Sequence, residues 1–415
     1  MSVVGLITEY NPFHKGHEYH IKKAKELTGS DYAIVIMSGN YVQRGTPAFM
    51  DKYTRTSIAL NHGADLILEL PLPFSCSSAE YFALAAVSIL DKTGIVDSIC
   101  FGAETDDLTI LNKVANLLVD AKLNNEHPLN ELIKNNIKSG QSYASARAKS
   151  LCEYLDNDSI YDIIDQPNNI LAIEYLKAIK LLNSKIKPYP LKRTNASYHH
   201  ADDNNHMYSA STLRKVFLDD LCINEVFDYD EIYKRQYNVT YPITENDFDS
   251  IIAVKLLENL LSNNDLTKYN NIDESLANKI SNSLKDYGYT GWNDFSMKLK
   301  SKNIAYTSIS RGLLSILLDI KENDFSKYLD NKICNYARIL GFKKTSSSLL
   351  NSIKKNSSLT LIGQLSEIND SLELTEHDIN MINKSIFADE LYNSVIRLKY
   401  STDIPNEYRR KIIIK

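Results

Sequence analysis

Val3-Val4-Gly5-Leu6-Ile7-Thr8-Glu9-Tyr10-Asn11-Pro12-Phe13-His14-Lys15-Gly16-His17 is the stretch whose reading decides the fold. The apolar run Val3–Thr8 predicts a buried strand, Asn11-Pro12 predicts a turn, and His14 to His17 open a helix. The backbone N–H groups and the dipole of a helix N-terminus favour an anion. Gly16 allows phosphates to approach the backbone closely. His14 and His17, three apart, share one face of the first turn. There they can donate hydrogen bonds to nucleotide phosphates and to the charge that grows as phosphorus is attacked. Two other readings exist, a pair of surface histidines and a metal pair. The metal reading is weakened by the lack of Cys or further His at ligand spacing.

Working outward, strand and helix alternate through the first hundred residues. A helix is expected over about Glu18–Leu27 and a strand over Tyr32–Ser38, an unbroken apolar run of the kind buried on both faces of a parallel sheet. A loop, Gly39-Asn40-Tyr41-Val42-Gln43-Arg44-Gly45, leads to a helix over about Asp51–Asn61. Strand Asp65–Leu70, helix Ser78–Leu90 and strand Val96–Phe101 follow. This is the pattern of an α/β fold with a Rossmann-like doubly wound parallel sheet. Residues 106–160 read as a helical insertion, Ile186–Leu191 as a fifth strand, and a helix starts near Ser211. After Asp220 the strand signal fades and apolar residues recur at helical spacing. The expected division is 1–225 for the nucleotide-handling α/β domain and 245–415 for a mainly α-helical C-terminal domain.

With 415 residues, two domains are the natural expectation. No run of 18 apolar residues predicts a membrane span. No basic segment precedes the first strand, so no signal peptide is expected. Cys76, Cys100, Cys152, Cys222 and Cys334 are scattered without a C-x-x-C pair, which points to reduced thiols in a cytoplasm. The net charge of −5 gives no overall basic footprint for nucleic acid, although a local patch would suffice.

Ligands of doubly wound sheets sit beyond the carboxyl ends of the strands. Four stretches fall there: Tyr10–His17, Gly39–Arg44, Gly102-Ala103-Glu104, and Lys192-Arg193. Gly102 leaves room for an adenine or ribose. Glu104 reads equally as a helper at the N-terminus of the helix starting near Asp106. Asn168 and Asn169 read equally as helix caps or as readers of an adenine edge or ribose hydroxyl. Ser209, Ser211 and Arg214 place hydroxyl donors and a fixed charge at a helix start. The plain alternative for Arg214 is a solvated helix residue.

The His14-Lys15-Gly16-His17 segment resembles the signature of HIGH-type nucleotidyltransferases. Tyr208-Ser209-Ala210-Ser211-Thr212-Leu213-Arg214 resembles, imperfectly, their triphosphate-binding I-S-S-T-x-I-R motif. Longer strings narrow the resemblance. Gly5–His17, Met37-Ser38-Gly39-Asn40-Tyr41-Val42-Gln43-Arg44-Gly45, Ala64–Pro71 and Pro167–Ala172 together resemble the bacterial tRNA(Met) cytidine acetate ligase family. The likeness is strong over residues 1–215 and looser beyond, as at Tyr336–Phe342.

That resemblance implies a ligase that forms acetyl-adenylate from ATP and acetate. It then passes acetyl to N4 of the wobble cytidine of elongator tRNA(Met), giving N4-acetylcytidine. It implies an ATP site of Ile7, Thr8, Glu9, Tyr10, Asn11, Pro12, Phe13, His14, Lys15, Gly16, His17, Glu18, Tyr19 and His20, with Gly102, Asn168 or Asn169, and Arg193. Ser209 and Ser211 join it through the second motif, and His14, His17 and Arg214 carry the chemistry. Mg2+ on the leaving pyrophosphate is expected, with no confident metal ligand among the side chains. Gln43 and Arg44 are candidates for the acetate pocket, or simply polar contacts that hold their loop. The tRNA candidates are Lys298, Lys300, Lys302 and Arg311, then Lys343-Lys344, Lys354-Lys355, and Arg409-Arg410-Lys411; any one cluster also reads as a solvated helical face.

Two competing functions remain open on the sequence. One is a nucleotidylyltransferase that adenylylates a small phosphorylated metabolite, disfavoured by the long helical half and the Gln43-Arg44 loop. The other is a non-catalytic RNA-binding or nucleotide-sensing protein, disfavoured because both phosphate motifs keep their His and Arg residues.

Overall fold

The computed structural model describes residues 1–193, 209–219, 223–368 and 373–415. Tyr208 and Cys222 lie outside the described residues. Seven strands build the main path of the central sheet: β1 (Val3–Thr8), β2 (Tyr32–Ser38), β5 (Leu66–Leu70), β6 (Ser98–Ala103), β7 (Lys187–Lys192), β8 (Tyr336–Phe342) and β10 (Ile413–Ile414). Their order is β10-β8-β5-β2-β1-β6-β7, and β9 (Thr360–Ile362) pairs β8 beside that path. A separate hairpin is formed by β3 (Tyr41–Val42) and β4 (Thr46–Pro47). From β5 to β7 every pairing is parallel.

The alternation of side chains explains the double burial. Val3, Ile34, Ile36, Leu66 and Leu68 enter one core, while Val4, Leu6, Val35, Met37 and Ile67 enter the core on the other face. Helices α1 (Lys15–Thr28) and α2 (Lys52–Asn61) cover the second face. The chain passes β1, β2, β5 in one direction and then returns to β6 and β7 on the other side of β1. The topological switch point therefore lies between β1 and β6, and a ligand crevice opens at their carboxyl ends.

The helical insertion is observed as Leu108–Leu123, Pro128–Lys138 and Tyr143–Leu155. The later half differs from the expectation at three places. β8 runs antiparallel to β5, and β9 and β10 pair with β8. The seven-residue stretch Tyr336–Phe342, apolar but for Arg338 and Gly341, has no periodicity that separates a buried strand from a buried helix segment. The helices Asp249–Leu261, Glu274–Tyr287, Trp292–Leu299 and Tyr306–Leu317 form their own core around Trp292, Phe295, Leu313 and Leu317, which also takes in Tyr41 of the hairpin and Tyr392 of the long helix Glu376–Tyr400. Between the halves, Tyr233 and Tyr241 are buried against the α1/α2 side of the sheet. Among the described residues no helix is long and apolar enough to cross a membrane.

Candidate active site

After β1 the chain turns over Glu9–Phe13, and three of its carbonyls are held from behind. Arg55 Nη1 donates to Glu9 O at 2.6 Å, Arg214 Nη1 donates to Asn11 O at 2.7 Å, and the Tyr233 hydroxyl donates to Phe13 O. Asn11 Oδ1 accepts from the Phe49 N–H at 2.7 Å. Arg55 is wholly buried and also donates to the carbonyls of Met50, Ser38 and Gly39. One guanidinium thus ties the ends of β1 and β2 to the start of α2. The sequence carries no signal for this residue, because an arginine inside a helix reads as solvated.

His14 is the N-cap of α1. Its Nδ1 accepts from the Gly16 N–H at 3.1 Å, and the His17 Nδ1 accepts from the His14 N–H at 3.2 Å. The two rings stack with centroids 3.7 Å apart. A ring nitrogen that accepts carries no proton, so we assign each neutral ring its proton on Nε2. Burial, aided by the positive charge of Arg193, lowers the pKa of His14 to about 4. His20 is lowered to about 4 by the same causes, with a partial offset from the Cys100 backbone. His17 lies well below its ordinary value, first through burial and then through His14, His20 and Arg193. At neutral pH all three are uncharged, and His14 and His17 offer Nε2–H donors.

This geometry corrects one expectation and adds a second reason for the glycine. The N–H groups of His14 and Gly16 are occupied by the imidazoles, so they do not face an anion. Donation passes to the ring Nε2–H groups and to Lys15. Gly16 is required by the His14 ring itself, since a Cβ there would lie 2.9 Å from both Cε1 and Nδ1 of that ring.

Across the switch point, Glu104 caps the helix Pro167–Leu181, not the one near Asp106. Its carboxylate accepts from Asn168 N (3.2 Å), Asn168 Nδ2 (2.6 Å) and Asn169 N (2.8 Å). The Asn169 Oδ1 accepts from the N–H groups of Glu104 and Thr105, and Nδ2 donates one hydrogen to Ile163 O. Asn169, which is buried, is therefore a lock between two loops. Arg193 follows β7, and a Cβ on Gly102 would meet its Cγ at 3.5 Å. The arginine stem lies over the glycine, with its charge felt at all three histidines.

The second motif is brought to the first. Ser209 is the N-cap of the helix Ala210–Leu218, accepting from the Thr212 N–H at 3.2 Å, and Ser211 Oγ lies 2.9 Å from Ser209 Oγ. Leu213 and Phe217 of that helix pack into the core containing Tyr10 and Phe13. Arg214 feels the charges of Glu9 and Arg44, although burial is the largest influence on it and lowers its pKa.

The Gly39–Gly45 stretch, expected as a loop, is the β3–β4 hairpin. The Gln43 N–H donates to Glu9 Oε1 at 2.9 Å, and Arg44 at the tip is exposed. Arg311, one of the expected tRNA contacts, instead packs on the hairpin, with Nη1 3.5 Å from Gln43 O. Its backbone abuts Gly45, which adopts φ +80° and leaves no room for a Cβ. The other tRNA candidates are dispersed. Lys298 pairs with Asp294 at 2.7 Å and Lys300 is exposed. The Arg410 guanidinium lies 4.7 Å from the Tyr53 ring centre, and Arg409 is exposed. Lys343 and Lys344 follow β8 at the amino-terminal edge of the parallel strands, where Lys343 N–H donates to Asp65 O. The crevice opens at the opposite edge. Among the described residues no three His, Cys, Asp or Glu side chains gather as a metal cage.

A doubly wound sheet with paired H-x-G-H histidines at its switch point, and an arginine-bearing helix drawn onto the same turn, defines a nucleotidyltransferase of the HIGH type. The HIGH Nucleotidyl Transferase family model matches residues 1–406. The chain is 38% identical over 410 residues to the tRNA(Met) cytidine acetate ligase of Clostridium novyi, covering 96% of this chain and 100% of that one. It is 36% identical, over an alignment of 433 residues, to the tRNA(Met) cytidine acetate ligase of Halothermothrix orenii, covering 100% of this chain and 99% of that one. The crystal structure of Thermotoga maritima TmcAL bound with alpha-thio ATP matches with a TM-score of 0.88 at 28% identity, over 100% of this chain and 99% of that one. This chain belongs to the HIGH nucleotidyltransferases and, among them, to the tRNA(Met) cytidine acetate ligase family.

Proposed function

We propose that this chain is an ATP-dependent ligase that activates acetate and acetylates N4 of the wobble cytidine of elongator tRNA(Met). The observation that carries the reading is the neutral, stacked His14–His17 pair at the switch point, with Lys15, Arg193 and Arg214 around it. Acetate is already ionised at pH 7, so its attack on the α-phosphorus needs charge stabilisation and not a base. An acetate oxygen bonds to that phosphorus, the bond to pyrophosphate breaks, and acetyl-adenylate forms. Fixed Nε2–H donors suit this step, because a neutral imidazole stabilises the growing negative charge while keeping its proton. The cytidine N4 then bonds to the acetyl carbon, AMP leaves, and N4 loses a proton.

His14, His17 and Arg214 are assigned to the phosphates undergoing reaction. Lys15, Arg193, Gly102 and the hydroxyls of Ser209 and Ser211 are assigned to binding the nucleotide. Gln43 and Arg44, beside Glu9, are assigned to the acetate end. Mg2+ would neutralise the leaving pyrophosphate. The crevice donors are imidazole and guanidinium groups, which suit a hard dication poorly, so no side chain is assigned to it. Residues 1–225 carry activation, and 245–415 contribute the RNA-facing helices. The four described cysteines are buried free thiols, in keeping with work in the cytoplasm.

The test is incubation with ATP, labelled acetate and tRNA, followed by digestion of the RNA. Label in N4-acetylcytidine is the expected result. Pyrophosphate release that ignores acetate would instead indicate adenylylation of another substrate.

A further inference from the structure

Behind the β3–β4 hairpin lies a group of five buried ionisable side chains drawn from five separated elements. Lys52 is inaccessible to solvent; its Nζ lies 2.8 Å from Glu69 Oε1 and 3.4 Å from Glu407 Oε2, and it donates to Asp389 Oδ2. Arg338 Nη2 lies 2.8 Å from Glu407 Oε2, and its Nη1 lies 3.5 Å from Asp389 Oδ2. Breaking such a pair on one side leaves an uncompensated buried charge, so the constellation fixes its members firmly.

Asn40, the residue before β3, joins this group to the hairpin. Its Nδ2 donates to Asp389 Oδ1 at 2.9 Å, its Oδ1 accepts from the Lys52 N–H at 2.8 Å, and its carbonyl accepts from the Ala48 N–H at 2.8 Å. Both ends of the hairpin thus meet at one residue, whose main chain closes the hairpin and whose side chain ties it to the buried group. The rest of its outer face is held by the later half of the chain. The Tyr392 hydroxyl donates to Ala48 O at 2.7 Å, Ser310 Oγ donates to Gly45 O at 3.0 Å, and the Tyr41 hydroxyl donates to Ala388 O at 3.2 Å. On the inner face the Gln43 N–H donates to Glu9 Oε1 in the turn after β1.

We infer that Asp389, acting through Asn40, is a positioning residue for the carboxylate substrate: the helix Glu376–Tyr400 sets the hairpin so that Gln43 and Arg44 close the acetate end of the crevice. The helical half then completes the activation site as well as facing RNA. This rests on the acetate-activating reading above. Asp389→Asn is the sharpest probe. It keeps the shape and, since burial raises the pKa of the Asp389 carboxyl to about 8, changes the buried charge little at neutral pH. Asn40 and Lys52 donate to different oxygens of Asp389, and in the amide one of those two positions becomes an NH2 donor, so the link must break on one side. Tyr392→Phe is the milder probe, removing one hydrogen bond to the hairpin.

Acetate-dependent ATP–pyrophosphate exchange is measured for the wild type and both variants, with acetate and with propionate, alongside thermal unfolding. A displaced hairpin should raise the KM for acetate about tenfold in Asp389→Asn, since small misplacements of reacting groups cost one to two orders of magnitude. Tyr392→Phe should shift it in the same direction by less. The KM for ATP should stay within about twofold, and propionate should gain relative to acetate as the pocket loosens. Unchanged acetate KM in folded variants would overturn the inference. So would an equal rise for acetate and ATP accompanied by a lowered Tm, which marks a merely structural cluster. If Asp389→Asn does not fold, Tyr392→Phe decides alone. A wild type without any acetate-dependent exchange would take down the acetate reading itself, and this inference with it.

Discussion

Gly16 shows what one missing side chain does. A Cβ at that position would meet the His14 ring at 2.9 Å. The ring would have to swing away, breaking its Nδ1 bond to the Gly16 N–H and the stack on His17. Gly16→Ala should cost about 1–3 kcal/mol of stability through overpacking. It should weaken an ATP analogue by about tenfold or more, as a lost charge-assisted contact to phosphate would. Calorimetric titration checks this, and unchanged affinity would remove the rings from the phosphate site. The histidines also make a pH prediction. His14 and His20 titrate near 4 in the folded chain and near 6.5 when unfolded. Between those values the unfolded state binds more protons, so stability rises with pH across that window and is lost as pH falls from 6.5 toward 4. Urea midpoints should be flat above pH 7 and fall below 6.5, with a shallower fall in His14→Gln. Identical slopes in the two proteins would contradict neutral imidazoles. The H-x-G-H motif was legible because its parts are neighbours in sequence. The His14 contact at Gly16 was not foreseen, and the job of Asn169 was left undecided, because one depends on a ring rotamer and the other on Glu104, 65 positions away.

At the scale of elements, alternation of apolar runs and helical spacing identified β1, β2 and β5 and the helices between them, since each buries both faces of a strand or one stripe of a helix. Ends shifted by one to three residues: the first helix begins at Lys15, and β6 runs two residues past the expected Phe101. β8 and the hairpin escaped because their partners are remote. β8 is a strand through pairing with β5, some 270 positions earlier, and β3–β4 is shaped by helices from the last third of the chain. Arg55 is the element-scale counterpart on the catalytic edge. Four carbonyls on three segments receive its hydrogen bonds. Arg55→Lys offers fewer donors in a different geometry and leaves buried carbonyls unpaired, at about 1–3 kcal/mol for each group. Denaturant unfolding should show a loss of about 3 kcal/mol or more, together with weaker ATP binding as the turn after β1 loosens. A loss under about 0.5 kcal/mol, in the range of ordinary surface changes, would show that water replaces the guanidinium at no cost.

For the whole molecule, the sheet has two edges with different duties, and this bears on where a large polyanion can dock. The substrate base must reach the carboxyl edge, where Arg44 and Lys215 are exposed beside Arg214. Lys343 and Lys344 sit at the amino edge, one length of β5 away, which is about 16 Å at 3.3 Å per residue. Lys344 is held there by its backbone bond to Lys415, and Lys343 by its bond to Asp65. With a net charge of −5, the chain can attract RNA only through local patches, so each contributing lysine should register in the salt dependence. Lys215→Gln should weaken tRNA binding several-fold and lower the slope of log affinity against log salt by about one, the signature of one lost phosphate contact. Acetate-dependent pyrophosphate exchange without tRNA should be unaffected. The double change Lys343→Gln with Lys344→Gln should leave both the affinity and the slope as they are in the wild type. The reverse result, a lower slope for the double variant and none for Lys215→Gln, would put the RNA across the amino edge and require the wobble nucleotide to reach the crevice from the far side of the sheet.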